Sequence, residues 1–330
     1  MRLERSVMPF VVGVDIGGGS AKLGLVDDRG VVRLRDEMPT PAVTSSAELA
    51  IAYAAGIDGI LERADAGAPA GIGVGLPGHL DADGLTSTYS NVPLLDNFPF
   101  AEFLADRFGL PVRLDNDATL AALAEYRFGA GQEAKRLLVV TLGTGIGLGL
   151  IADGEPQRPV RGCMGDPGHI IVDPEARWTC RQGCRGCLES VASSLALERD
   201  AAAMAAWRPD GPLGAILARE GCLRTADIIE AAHSGVADAG HLLEELGAWL
   251  GRAAASWCAL YDPDLVLFGG GLSSAGCALL SATRRTMTAV GMPEYVSGRE
   301  VRLAKLNNDA GLVGAACLFA DCWEDGVNDQ

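Results

Sequence analysis

Val12-Gly13-Val14-Asp15-Ile16-Gly17-Gly18-Gly19-Ser20-Ala21-Lys22-Leu23 lies near the start of the chain, and Val140-Thr141-Leu142-Gly143-Thr144-Gly145-Ile146-Gly147-Leu148 repeats its rhythm at mid-chain. Each reads as a β-rich apolar run, a glycine turn and a second apolar run, so each predicts strand–turn–strand. A dinucleotide-binding start is excluded by that pattern, because there the glycine turn opens a helix. Gly73-Val74-Gly75-Leu76-Pro77-Gly78 has the G-x-G-x-x-G spacing, yet it continues as the turn Pro77-Gly78-His79-Leu80-Asp81 and starts no helix. No Walker-type loop occurs in the sequence. One supersecondary unit appearing in two halves predicts two related lobes with a cleft between them.

Working outward, strands are predicted at residues 10–15, 20–27 and 31–34, a helix at 46–64, a strand at 72–76 and a helix at 99–108 ended by Gly109. A strand at 112–114, Asp115-Asn116-Asp117 and an alanine-rich helix at 118–127 follow. Strands at 137–142 and 147–152 then lead into an irregular cysteine region. Helices are expected at 188–203, 225–233 and 242–261. Asp262-Pro263-Asp264 breaks into a strand at 265–268, Gly269-Gly270-Gly271 leads to a helix at 275–288, and a strand at 301–306 and a helix at 310–319 close the fold. The class is α/β.

The chain has 330 residues, 48% of them apolar and 21% charged, which is material for two lobes with a real core and excludes disorder. With 27 basic against 43 acidic residues, the net charge of −16 disfavours nucleic acid and anionic membranes as partners. The N-terminal apolar stretch ends at Asp15, too early for a signal-peptide core. Glycines and threonines interrupt the longest apolar run, 137–152, which falls short of the roughly 20 residues that span a bilayer. A soluble, cytoplasmic protein is expected.

Nine cysteines are present, and Cys163, Cys180, Cys184 and Cys187 crowd together. Without an export signal such a crowd reads as a metal site rather than as disulfides. With His169, the last three give one imidazole and three thiolates, a set that zinc binds tetrahedrally in closed structural sites. A zinc-ribbon nucleic-acid module is the other reading of these cysteines, and the charge argues against it.

Glycine turns after strands at residues 17–19, 143–147 and 269–271 let backbone approach a phosphate and present N–H groups to it. Asp117, at a strand-to-helix junction, has two readings on position alone: a helix cap, or a carboxylate that the helix dipole keeps ionised as acceptor for a hydroxyl proton. Phosphoryl transfer needs such an acceptor, a positioned hydroxyl and cations on the phosphate.

Asp15-Ile16-Gly17-Gly18-Gly19-Ser20-Ala21-Lys22, Asn116-Asp117-Ala118, Leu142-Gly143-Thr144-Gly145-Ile146-Gly147 and Gly165-Asp166-Pro167-Gly168-His169 with the cysteines beyond it resemble, in order, the motifs of the ROK family of repressors, open reading frames and sugar kinases. The resemblance runs from Val12 to about Phe319. It implies the two-lobed, actin-like ATPase (ribonuclease H-like) fold with an interlobar cleft. The lobes would be residues 1–116, with a helix near 310–322 packing back on them, and residues 117–309, with a zinc-binding insertion at about 163–187.

The resemblance further implies an ATP-dependent sugar kinase acting on a primary hydroxyl of a hexose, with Asp117 as catalytic base. Asp15 would hold Mg²⁺ through water. Gly17, Gly18, Gly19, Ser20, Lys22, Gly143, Thr144 and Gly145 would serve the phosphates, and Gly269, Gly270 and Gly271 the adenosine. Gly78, Asn116, Asp117, Asp166, His169 and Glu189 would bind sugar, and His169, Cys180, Cys184 and Cys187 would bind Zn²⁺. A homodimer is the family's pattern. Glucose leads among substrates, with amino sugars, N-acetylhexosamines and cyclitols as alternatives; a sugar-sensing regulator is the non-enzymatic alternative. Against that regulator, eleven residues before Val12 leave no room for a helix-turn-helix.

Three departures stand out. Gly19 replaces the family's threonine, with Ser20 the nearest hydroxyl. Asp166 replaces a glutamate, withdrawing a carboxylate by about 1.5 Å. The middle cysteine has moved from the Gln182 slot to Cys184, with Cys163 or water as the substitute if Cys184 cannot reach the metal.

Overall fold

The computed structural model describes residues 10–64, 67–78, 80, 91–158 and 166–324. They belong to two compact units, one built from 1–132, 149–165 and 308–330, the other from 133–148 and 166–307.

The first unit starts with β1 (Val11–Ile16), β2 (Ser20–Val26) and β3 (Val32–Pro39), then α1 (Ser46–Arg63), β4 (Gly71–Leu76), α2 (Phe100–Phe108), β5 (Val112–Asn116) and α3 (Asp117–Phe128). Its sheet has the order β3-β2-β1-β4-β5. β1, β2 and β3 pair antiparallel through tight turns, whereas β4 and β5 join parallel to β1 after helical crossovers. The C-terminal ends of β1, β4 and β5 therefore lie side by side, and Asp15, Leu76 and Asn116 sit there. Val12, Val14 and Ile16 of β1 pack with Tyr53, Ile57 and Ile60 of α1 in one fully buried core; each such aliphatic side chain contributes about 1.5–3 kcal/mol. β3 runs on to Pro39, past the predicted end at 34, because its polar residues 35–37 lie on an exposed edge strand paired with β2.

The second unit holds β6 (Arg136–Leu142) and the start of β7 (Ile146–Ala152), which ends in the first unit and is followed by β8 (Glu155–Pro156). Then come α4 (Leu188–Ala192), α5 (Ser194–Trp207), α6 (Pro212–Glu220), α7 (Thr225–His233), α8 (Ala237–Tyr261), β9 (Leu265–Gly269), α9 (Cys277–Val290), α10 (Pro293–Val296) and β10 (Glu300–Leu303). The sheet order is β10-β9-β6-β7-β8. The single helix predicted at 188–203 is two helices. Ser193 is extended, its hydroxyl accepts from Ala196 N at 3.2 Å to cap α5, and the Ser194 N–H is drawn to Gly143 O at 2.8 Å. α6, absent from the predicted elements, has Pro212 at its first turn and left-handed Gly221 at its end.

The chain returns to the first unit with α11 (Ala310–Cys317), which packs on β1, β4 and α3. A Cβ on Gly13 would lie 2.5 Å from Leu312 O, and one on Gly73 would overlap Ala315 O. Bare strand backbone at these two positions is what lets the helix lie so close. The α3 helix, placed beyond the lobe boundary by sequence, packs within the first unit through this same helix, with a Cβ on Gly314 overlapping Leu120 O.

Candidate active site

In the first unit, the strand ends converge on two carboxylates. Asp15 and Lys22 are directly opposed in the β1–β2 register, and Lys22 Nζ lies 3.7 Å from Asp15 Oδ2. Lys22 also donates to Asn308 O at 3.4 Å. Burial raises the Asp15 pKa, and Lys22 opposes that rise. The Asp15 carboxyl rests against Gly311 in the first turn of α11, where a Cβ would overlap it.

Asn116, not Asp117, caps α3. Its Oδ1 accepts from Thr119 N at 3.0 Å, and its Nδ2 donates to Gly78 O at 2.9 Å and to Asp117 Oδ1 at 3.1 Å. Gly78 adopts φ +103°, which turns its carbonyl toward that amide. Freed from capping, Asp117 is the first helical residue, and its Oδ1 accepts from Ala118 N at 2.8 Å. The expectation that the helix dipole holds this carboxyl ionised needs correcting. Burial, then the charge of Asp15, outweigh the N–H groups and push the Asp117 pKa up to about 7. Sequence reading also missed Arg158, which pairs with the buried Asp115 behind Asn116. Burial raises Asp115, with Arg158 opposing.

The first glycine turn is closed by Gly17 N donating to Ser20 O at 2.9 Å, and Thr40 N donates to Gly19 O at 3.1 Å. No atom comes within 4 Å of a Cβ built on Gly19. Ser20, considered as a phosphate hydroxyl, donates instead to Glu37 Oε1 at 2.8 Å. None of Gly17, Gly18, Gly19, Gly143 or Gly145 has positive φ; a Cβ would meet Ser20 O at 3.2 Å on Gly17, Asn91 at 3.3 Å on Gly18 and Glu189 Oε2 at 2.7 Å on Gly145.

In the second unit, Gly143 N donates to Gly145 O at 3.0 Å, closing the turn between β6 and β7. Gly270, at φ +81° after β9, lies against the backbone of Leu142, so the second and third glycine turns are neighbours. Glu189 Oε2 accepts from Ile146 N at 3.3 Å, and a Cβ on Gly145 would lie 2.7 Å from that oxygen. Burial raises Glu189, with His169 opposing. Thr144, Arg181, Glu189, Ser193, Leu195 and Arg199 are among the residues lining a small cavity of about 70 Å³.

His169, Cys180, Cys184 and Cys187 offer donor atoms all within 4.8 Å of one another. Nδ1 of His169 is 3.0 Å from Cys184 Sγ, and Cys180 Sγ is 3.1 Å from Cys184 Sγ. Cys184 thus reaches the cluster from its shifted position. The displacement is absorbed by a hairpin in which Cys180 N donates to Cys184 O at 2.9 Å and Gly183 turns at φ +89°. Cys163 lies outside the described residues. Burial and the neighbouring thiols push the Cys184 thiol up. The donor chemistry fits zinc.

The ROK family profile matches residues 11–322. The glucokinase of Halalkalibacterium halodurans is 35% identical over 94% of this chain and 94% of its own length. That of Thermotoga maritima is 32% identical over 94% and 97%. Among solved structures, a ROK family glucokinase from Streptomyces griseus, in complex with glucose and AMPPNP, superposes with a TM-score of 0.83 at 33% identity, covering 94% of this chain and 98% of that one. The chain belongs to the ROK family.

Within the ROK framework the three departures acquire physical content. Open space at Gly19 means that loss of the usual threonine leaves the turn intact and removes only a hydroxyl. The shortened Asp166 stands just before a single 3₁₀ turn, Pro167–His169, and its Oδ2 lies 3.3 Å from His169 Nε2. The moved cysteine keeps its place among the donors. None of the helices searched among the described residues is long and apolar enough to cross a membrane.

Proposed function

We propose that this ROK protein transfers the terminal phosphoryl group of ATP to a primary hydroxyl of a hexose, with glucose as first substrate and Asp117 as the base. The observation that carries the reading is the placement of Asp117, relieved of capping by Asn116 and set beside Asp15 at the ends of three adjacent strands. The glucokinase relatives support the reaction class.

Asp117 accepts the hydroxyl proton as the oxygen attacks phosphorus, and Asn116, held by Gly78, keeps that carboxylate oriented. Asp15 supplies the hard oxygen donor suited to Mg²⁺, through water, and Lys22 holds it in place. Magnesium, when bound, neutralises charge on the phosphate being transferred. Gly17, Gly18, Gly19, Gly143, Thr144 and Gly145 serve the phosphates, Ser20 and Lys22 flank the first turn, and Gly269, Gly270 and Gly271 serve the adenosine. Glu189, with His169 and Asp166 near it, takes the remaining sugar hydroxyls. Cytoplasmic location and a homodimer belong to the same reading, and sedimentation analysis tests the latter.

The deciding experiment is a panel of sugars screened for ATP consumption, with Asp117→Asn alongside wild type. Turnover of glucose or a close hexose that disappears in the variant, while sugar binding persists, supports the assignment. Undiminished turnover in the variant overturns it.

A further inference from the structure

His169 has only two ring nitrogens, and both are spoken for. Nδ1 faces the thiols, 3.0 Å from Cys184 Sγ and 3.6 Å from Cys180 Sγ. Nε2 faces Asp166 Oδ2 at 3.3 Å. The geometry has a local cause. Residues 167–169 form one 3₁₀ turn, closed by His169 N donating to Asp166 O at 2.9 Å. Asp166 takes the position just before that turn, at φ −128° and ψ 76°, and from there its carboxyl meets the imidazole three residues on. The imidazole is 18% exposed, whereas the Asp166 side chain is 45% exposed, so the acid covers the ring's outer nitrogen.

We propose that Asp166 is a positioning residue that acts through His169. Its carboxylate accepts the Nε2–H, fixes the tautomer that leaves the Nδ1 lone pair toward Cys180, Cys184 and Cys187, and so holds the metal; its effect on sugar runs through that ring. A ligating histidine that gives its other N–H to a carboxylate is a stronger ligand, and loss of such a partner typically costs about 10–100-fold in metal affinity. Glu189, assigned to sugar in the proposed function, does not touch this nitrogen and is anchored on Ile146 N instead. The inference rests on the reading of the cluster as a zinc site, and the test separates the two.

Zinc content of the purified wild-type protein is measured first, then release of that zinc to a chromogenic chelator from wild type, Asp166→Asn and Asp166→Ala. The expected result is about one zinc per chain in wild type, release or affinity altered about 10–100-fold in Asp166→Ala, and a smaller change in Asp166→Asn, whose amide oxygen still accepts the Nε2–H. The sugar KM of zinc-depleted wild type should rise as far as that of Asp166→Ala, with little further rise when Asp166→Ala is itself depleted. Wild type without zinc overturns the metal reading and the inference together. Wild type with zinc, and Asp166 variants that hold it equally well while their sugar KM rises, overturns the inference alone and makes Asp166 a direct sugar contact. Should Asp166→Ala fail to fold, Asp166→Asn decides the same question.

Discussion

Asp117→Asn separates the two properties that the strand ends give this carboxyl. In the folded protein Asp117 titrates near 7 against an ordinary 3.8, chiefly because of burial and then because of Asp15. A carboxyl raised on folding contributes its stability below about pH 3.8 and withdraws it as pH rises through 7, since the native state must ionise against its surroundings. A separation of about 3 pH units at 1.36 kcal/mol each gives a total of about 4 kcal/mol, of which about 2.5 kcal/mol falls between pH 5 and pH 8. Asparagine avoids that penalty and keeps the local hydrogen bonds, because the Ala118 N–H and the Asn116 amide both donate to Oδ1. The variant should therefore gain stability relative to wild type by about 2–3 kcal/mol more at pH 8 than at pH 5, measured by urea unfolding at both pH values.

The same substitution removes the proton acceptor, so kcat should fall by about 10²–10⁴-fold. In wild type, kcat/KM should decline with pH below about 7, and the limb should move to lower pH as Mg²⁺ offsets the charge of Asp15. A stability difference that does not vary with pH would refute the account of burial and Asp15. Retention of more than about a tenth of kcat would refute the role of base.

Gly311→Ala places a methyl group on the Asp15 carboxyl and should lower kcat/KM about tenfold or more, with the fold retained by circular dichroism; unchanged kinetics would mean that Asp15 has room to move. Cys184→Ser should reduce bound zinc and lower the melting temperature, and adding Gln182→Cys should restore metal only if the hairpin can return that position to the cluster. Gly73→Ala drives a Cβ into the Ala315 carbonyl and should destabilise by about 1–3 kcal/mol in urea titrations.

What could be read from the residues alone divides along a physical line. Strand–turn–strand repeats, glycine turns and the chain order of the sheet elements depend on neighbours within a few positions, so periodicity and turn chemistry located β1, β2, β6, β7 and β9 to within a residue or two. The break at Ser193 was hidden because its cause is distant in sequence: Gly143 O captures the Ser194 N–H. By contrast, α6 carried its own signal in Gly211-Pro212 and Gly221, which could have been read.

The site residues follow the same rule with one further step. Residue types placed Asp117 and the cysteines, but not the division of labour between Asn116 and Asp117, since either side chain caps a helix well and only the pull of Gly78 O on the Asn116 amide selects between them. Gly311 was invisible for a similar reason. It lies 296 positions from the carboxyl it accommodates, and its contribution is the absence of a side chain, which no local pattern distinguishes from ordinary helix glycine. Asp166 is the reverse case. Its partner is three residues away, so the 3₁₀ turn made the contact legible in principle, but only once Pro167-Gly168 is read as one tight turn that brings an acid to an imidazole rather than as a loop that offers both to solvent.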